Sequence, residues 1–119
     1  MKYILLMYHT EGVFTKEELP GEMKYSVGLC EELLAKGQFV GASPLQEIRT
    51  ATSLTAKSGR TEVRDGPFAE TKEQLGGYVI VDVPNLDEAI AIAERFPAAK
   101  RGTVEIRPLF PLEGIPVVK

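Results

Sequence analysis

Gly76-Gly77-Tyr78-Val79-Ile80-Val81-Asp82-Val83-Pro84-Asn85-Leu86-Asp87-Glu88-Ala89-Ile90-Ala91-Ile92-Ala93 is the stretch from which the fold can be read. The glycine pair opens a valine-rich run, Tyr78 to Val83, whose β-branched residues favour a strand. Asn85 followed three residues later by Glu88 is a capping signature. Leu86, Ala89, Ile90 and Ala93 then recur at helical spacing as the buried stripe of a helix that Phe96-Pro97 should stop. Beyond it, Thr103 to Arg107 alternates strictly, as an edge strand with one wet face should, until Pro108 and Pro111 break the pattern. The result is a strand, a helix and a strand within about thirty residues.

The N-terminal half repeats that order. Lys2 to Tyr8 is a short run of strand formers, apolar on both faces. Thr15 with Glu18 makes a capping box, and Met23, Val27, Cys30 and Leu34 recur at helical spacing until Gly37, which predicts a helix from about Pro20 to Lys36. Gln38 to Ala42 reads as a second strand, ended by Ser43-Pro44. Between the halves, Ser58-Gly59 is a two-residue turn signal joining Leu54–Lys57 to Arg60–Val63, an exposed hairpin that Asp65-Gly66-Pro67-Phe68 interrupts. The predicted architecture is therefore α+β, a ferredoxin-like βαββαβ domain over residues 1–110 with a β-hairpin insertion. Residues 111–119 form a C-terminal tail that carries Leu112, Ile115, Val117 and Val118.

This order has a consequence for assembly. Right-handed crossovers place both helices on one face of the sheet, yet the first strand and the Tyr78–Val83 strand are apolar on both faces. A second copy packed sheet against sheet would cover the bare face, so a homodimer is expected, with a pocket near or between the sheets. The alternative is that the hairpin or the tail folds back over its own sheet.

Composition narrows the function. The 119 residues are 44% hydrophobic and 26% charged, the mix of one globular domain. Fourteen Lys and Arg against seventeen Asp and Glu give a net charge of −3. With a pI near 5.2, the basic footprint that attracts nucleic acid or an anionic membrane is missing, so neither is expected as a partner. One Cys and one His allow no internal disulfide, zinc-finger spacing or Cys-His nucleophile with a second His in reserve, and no signal-peptide pattern opens the chain. A cytoplasmic protein without metal or cofactor is the expectation. Gly76-Gly77 precedes a strand rather than a helix N-terminus, which argues against a phosphate loop.

The run Asp65-Gly66-Pro67-Phe68-Ala69-Glu70-Thr71-Lys72-Glu73-Gln74-Leu75-Gly76-Gly77-Tyr78 resembles the signature of the DGPF family, within the YCII-related group. Met1-Lys2-Tyr3-Ile4-Leu5-Leu6, Ala51-Thr52 and Val104-Glu105-Ile106-Arg107-Pro108 are similar to that family as well. The resemblance implies a ferredoxin-like subunit that pairs into a dimeric α+β barrel. Its functional implications are broader: some relatives are associated with extracytoplasmic-function sigma factors, and a YCII relative is a dehydrochlorinase that uses a His and Asp pair. That pair does not carry over. Where the resemblance expects the His, in the first helix, this chain has Lys24, Tyr25 and Ser26, and where it expects the Asp, before the proline after the second helix, it has Phe96.

Other side chains must then supply any acid–base chemistry. Asp65, in a Gly-Pro turn, is a candidate acid or base, the bland reading being an Asx turn. His9, at the end of the first strand, is of the one residue type whose unperturbed pKa lies near neutrality, and its bland reading is a solvated loop residue. Glu105 and Arg107 share a face of the last strand and could line a dimer cavity, with Arg107 orienting an anionic group, or simply form an ion pair. Tyr78 could offer its hydroxyl to a ligand or pack with its tip wet. Lys72, with Glu70 and Glu73, could form a rim or lid, and Cys30 is expected to be buried and inert. Two readings compete: a small enzyme performing proton transfer, elimination or isomerisation on a small organic molecule, and a non-catalytic ligand-binding or regulatory accessory module. A third, an interaction subunit of a larger assembly, rests on the apolar tail.

Overall fold

The computed structural model describes residues 1–116. Its main sheet contains β1 (Lys2–His9), β2 (Phe39–Pro44), β5 (Gln74–Asp82) and β6 (Thr103–Pro108) in the order β2-β5-β1-β6. Every neighbouring pair is antiparallel. Helix α1 (Leu19–Ala35) carries the chain from β1 over to β2, and α2 (Leu86–Ala93) with α3 (Pro97–Arg101) carries it from β5 to β6. Each crossover skips one strand, which is the ferredoxin-like arrangement expected from the element order.

Register sorts the side chains into two layers. Tyr3, Leu5 and Met7 lie opposite Val81, Val79 and Gly77 on one side of β1, and opposite Pro108, Ile106 and Val104 on the other. This inner face is buried with Leu29 and Leu33 of α1, Ala89 and Ala93 of α2, Phe96 and Ala98. Each fully buried Leu or Val there contributes roughly 1.5–3 kcal/mol relative to exposure. The small Ala89 and Ala93 let α2 come close to the sheet, and Phe96 fills the end of that layer.

Both signatures form their hydrogen bonds, the first in the turn that leads into α1 and the second at the start of α2. The Glu18 N–H donates to Thr15 Oγ1 and the Thr15 N–H to Glu18 Oε1, each at 3.1 Å, and Asn85 Oδ1 accepts from the Glu88 N–H at 3.0 Å. Phe96-Pro97 does more than stop a helix. After α2 the chain turns, and Pro97 opens the short α3, where its missing N–H costs nothing.

Gly76-Gly77 also sits differently from the sequence expectation, inside β5 rather than before it. The β1–β5 register shifts between Met7 and Tyr8, and a Cβ at Gly77 would lie 3.0 Å from the Ser43 carbonyl oxygen. Bulge and close approach, not a strand start, account for the pair.

Between β2 and β5, a 3-10 turn (Ile48–Thr50) leads into the hairpin β3 (Thr52–Lys57) and β4 (Arg60–Asp65). Its turn residues Ser58 and Gly59 both have positive φ, 49° and 75°, the signature of a type I′ turn. β3 and β4 form a sheet of their own and do not join the main one. Nor, among the described residues, does the tail fold back as a lid: Leu109 N–H extends the β1 ladder to the Lys2 carbonyl at 2.8 Å, but Phe110 remains 84% exposed and Leu112 and Ile115 are exposed too. The expected Val117 and Val118 lie outside the described residues. The outer sheet face thus keeps Ile4, Leu6, Tyr78 and Ile80 half-buried and uncovered by helices.

Candidate functional site

Helical spacing groups Met23, Val27, Cys30 and Leu34 on one face of α1, and that face is not the one packed on the sheet. The buried residues of α1 are Leu29 and Leu33, whereas Met23, Val27 and Leu34 are 45–63% exposed. At about 100° per residue, Leu29 and Leu33 mark one edge of a wide apolar arc and Met23, Val27 and Leu34 the other. The first edge packs on the sheet. The second lines an open chamber of about 710 Å³ between α1 and the inner sheet face.

Several elements close this chamber. The ends of β1 and β2 contribute Met7, His9 and Ala42; the start of β5 contributes residues 74–79; Phe14 and Leu45 come from loops; and Phe96, Pro97 and Ala98 form its end. Ser26 and Cys30 of α1 face the same space. Cys30 is half-buried, and burial pushes its thiol pKa up, which disfavours the thiolate and agrees with an inert role.

His9 is tightly placed. Its parity with Met7 puts it on the inner face, where its ring meets Phe14 edge to face at a centroid distance of 5.4 Å. A Cβ at Gly76 would overlap its Nε2, so only glycine leaves room for the ring. Gly102 packs against the Tyr8 carbonyl and the His9 Cβ from the other side. Nδ1 lies 3.3 Å from the Thr10 carbonyl oxygen; when it donates there, Nε2 is left as the basic nitrogen.

Phe14 is held in turn by Arg101, whose guanidinium stands 4.8 Å over its ring. Arg101 also pairs with Glu18 at 2.9 Å and donates to the Val13 carbonyl at 2.5 Å. The Thr15 N–H and, next, the Arg101 guanidinium hold the Glu18 carboxyl below the usual range. The capping box thereby fixes the loop that carries Phe14 to the chamber wall.

The remaining candidates lie elsewhere. Glu105 is opposite Leu6, Arg107 opposite Ile4, and Tyr78 opposite both Leu6 and Ser43, which brings all three side chains to the outer sheet face. β5 passes through the chamber wall at Tyr78, but the register aims its ring outward. Asp65 ends β4 on the hairpin, where Gly66, at φ +96°, turns the chain. Among the described residues its carboxylate makes no hydrogen bond, to His9 or to the backbone. Lys72 lies exposed in the loop before β5, while its neighbour Glu73 accepts from Thr103 Oγ1 at 2.7 Å.

Sequence reading passed over Phe14, Ala42 and the α1 stripe as chamber walls. The signal was present in the width of the helix's apolar arc, since a helix that only covers a sheet needs one stripe. Among the described residues no group of His, Cys, Asp or Glu is arranged to hold a metal, and no helix is long and apolar enough to cross a membrane.

The family model of the YCII-related domain matches residues 1–113. The chain belongs to the YCII-related family. An uncharacterized protein of Rhizobium meliloti (strain 1021) is 36% identical over 114 residues, covering 92% of each chain. Among solved structures, 5-chloro-2-hydroxyhydroquinone dehydrochlorinase from Burkholderia phenoliruptrix AC1100, in complex with 2,5-dihydroxybenzoquinone, is similar in fold. Its TM-score is 0.54 at 15% identity over 92% of this chain and 94% of that one. At that identity the likeness speaks for the fold. Of Lys24, Tyr25 and Ser26, among which the resemblance expects the His, Ser26 lines the chamber; Phe96, where it expects the Asp, lines it too and is 2% exposed.

Proposed function

We propose that this YCII-related protein is a cytoplasmic small-molecule enzyme, a two-fold dimer that performs proton transfer on an apolar, ring-sized substrate held under α1, with His9 as the acid–base group. The observation that carries the reading is the chamber itself. Its volume falls within the range of small-molecule sites, roughly 300–1,000 Å³, and its mainly apolar wall carries one imidazole, held in place by Phe14 and Gly76. In this reading Asp65 and Lys72 shape the hairpin and its exit, and Tyr78, Glu105 and Arg107 belong to the dimer surface with Ile4, Leu6 and Ile80. The apolar outer face, which no helix covers, supports the dimer.

The second reading, a non-catalytic binding module, is favoured by one observation: buried Phe96 leaves the chamber without a carboxylate at the position where the family resemblance expects one. A thermal-shift screen of hydroxylated aromatic molecules tests the chamber. Wild type should be stabilised by members of the panel, and Ser26→Trp, which fills the space, should lose the shift. No shift in wild type with any member would overturn both readings. For a molecule that binds, His9→Gln should retain the shift but lose catalysed exchange of the ring C–H protons ortho to a hydroxyl, which passes through the keto tautomer, with solvent deuterium, followed by NMR. Binding without exchange in wild type would select the binding module.

A further inference from the structure

We infer that the chamber selects its occupant by charge, admitting neutral or cationic apolar molecules such as arylalkyl amines and rejecting carboxylates of the same size. The inference rests on the reading of the chamber as a small-molecule site and adds the substrate class. The sign of the wall carries it. Glu11, Glu22, Glu31 and Glu47 line the chamber, and no Lys or Arg does.

Two of the four carboxylates are engaged: Glu11 accepts from the Ile48 N–H at 2.7 Å, and Glu47 pairs with Arg49 at 2.9 Å. Among the described residues the side chains of Glu22 and Glu31 have no hydrogen-bond or ion-pair partner. Nine residues apart on α1, they point about 180° from each other, Glu22 in line with Leu29 and Leu33 and Glu31 beyond the Met23–Val27–Leu34 stripe, so the stripe lies between two carboxylates. Arg101, the cation behind the Phe14 wall, has its charge taken up by Glu18. Arg107, expected from sequence to orient an anionic group, lies on the outer sheet face.

A cation held near these carboxylates has the cost of leaving water offset by their field, which the low-dielectric apolar wall focuses. An anion meets the same field with the opposite sign. The apolar stripe takes the ring in either case, so charge decides between molecules of one shape.

Calorimetric titration of the full chain with benzylamine, benzyl alcohol and benzoate, at slightly alkaline pH and low ionic strength, separates the possibilities. Benzylamine should bind tightest and benzoate weakest, with roughly a tenfold gap between them that shrinks in molar salt. Glu22→Gln with Glu31→Gln should narrow the gap several-fold. Benzoate binding as tightly as benzylamine, with benzyl alcohol also bound, would overturn the charge inference and leave the chamber reading standing. Failure of all three to bind would overturn the chamber reading and the inference with it.

Discussion

The edge of the His9 imidazole occupies the place a side chain at position 76 would need, so His9 and Gly76 are fitted to each other across β1 and β5. Gly76→Ala should push the ring off its site. Because the colliding atom is the far end of a side chain, the stability loss should be modest, about 1–3 kcal/mol. The imidazole resonances of His9 should shift in the NMR spectrum, and an unmoved ring would contradict the fit.

Gly102→Ala should cost more than Gly76→Ala. A Cβ there collides with the Tyr8 carbonyl, which is backbone and cannot swing away. Urea denaturation of the two variants side by side tests the order, and equal midpoints would argue against it.

The helix caps offer a calibrated pair. Thr15→Ala and Asn85→Ala should each lower stability by about 1 kcal/mol, since Thr15 accepts from the Glu18 N–H in the turn leading into α1 and Asn85 from the Glu88 N–H at the start of α2. Thr15→Ala should also loosen Phe14, seen as altered ligand affinity, whereas Asn85→Ala should not.

Glu18 gives the caps a pH signature. Its pKa is lowered in the folded chain, first by the Thr15 N–H and then by Arg101, so its contribution is present above the ordinary Glu range and lost as pH falls through the lowered value. The stability gap between wild type and Glu18→Gln should be constant near neutrality and close in acid. A gap that widened on acidification would reverse the sign and refute the assignment.

Phe96→Ala should destabilise by about 3–5 kcal/mol, the range for emptying a buried aromatic site, because Phe96 joins the core to the chamber end. Chemical denaturation checks it. A loss below about 1 kcal/mol would mean that the chamber collapses to fill the gap.

On the outer face, Ile80→Lys should leave the fold intact and dissociate the proposed dimer, as read by sedimentation with circular dichroism as the control. Ile80 pairs with Ile4 and Gly41 on the layer that no helix covers. An unchanged sedimentation coefficient would place the interface elsewhere.

Element order, both capping signatures, the two-residue hairpin turn and the alternation of β6 were legible in the residues, because each is written in local spacing. Strand alternation and the i, i+3 geometry of a cap act within a few positions, and no distant partner can change them. The same local logic could not place Gly76 and Gly77 inside β5, since their need for glycine comes from His9 and Ser43, which the fold brings up from β1 and β2. It also could not tell which edge of the α1 arc meets the sheet. That choice follows from the crossing of α1 over β5 to β2, and it made the stripe of Met23, Val27, Cys30 and Leu34 a chamber wall. The candidate residues were scattered for a related reason. His9, Asp65 and Arg107 went to an inner face, a hairpin and an outer face because strand register and a bulge assign the side of a sheet, and both depend on pairing between segments far apart in the chain.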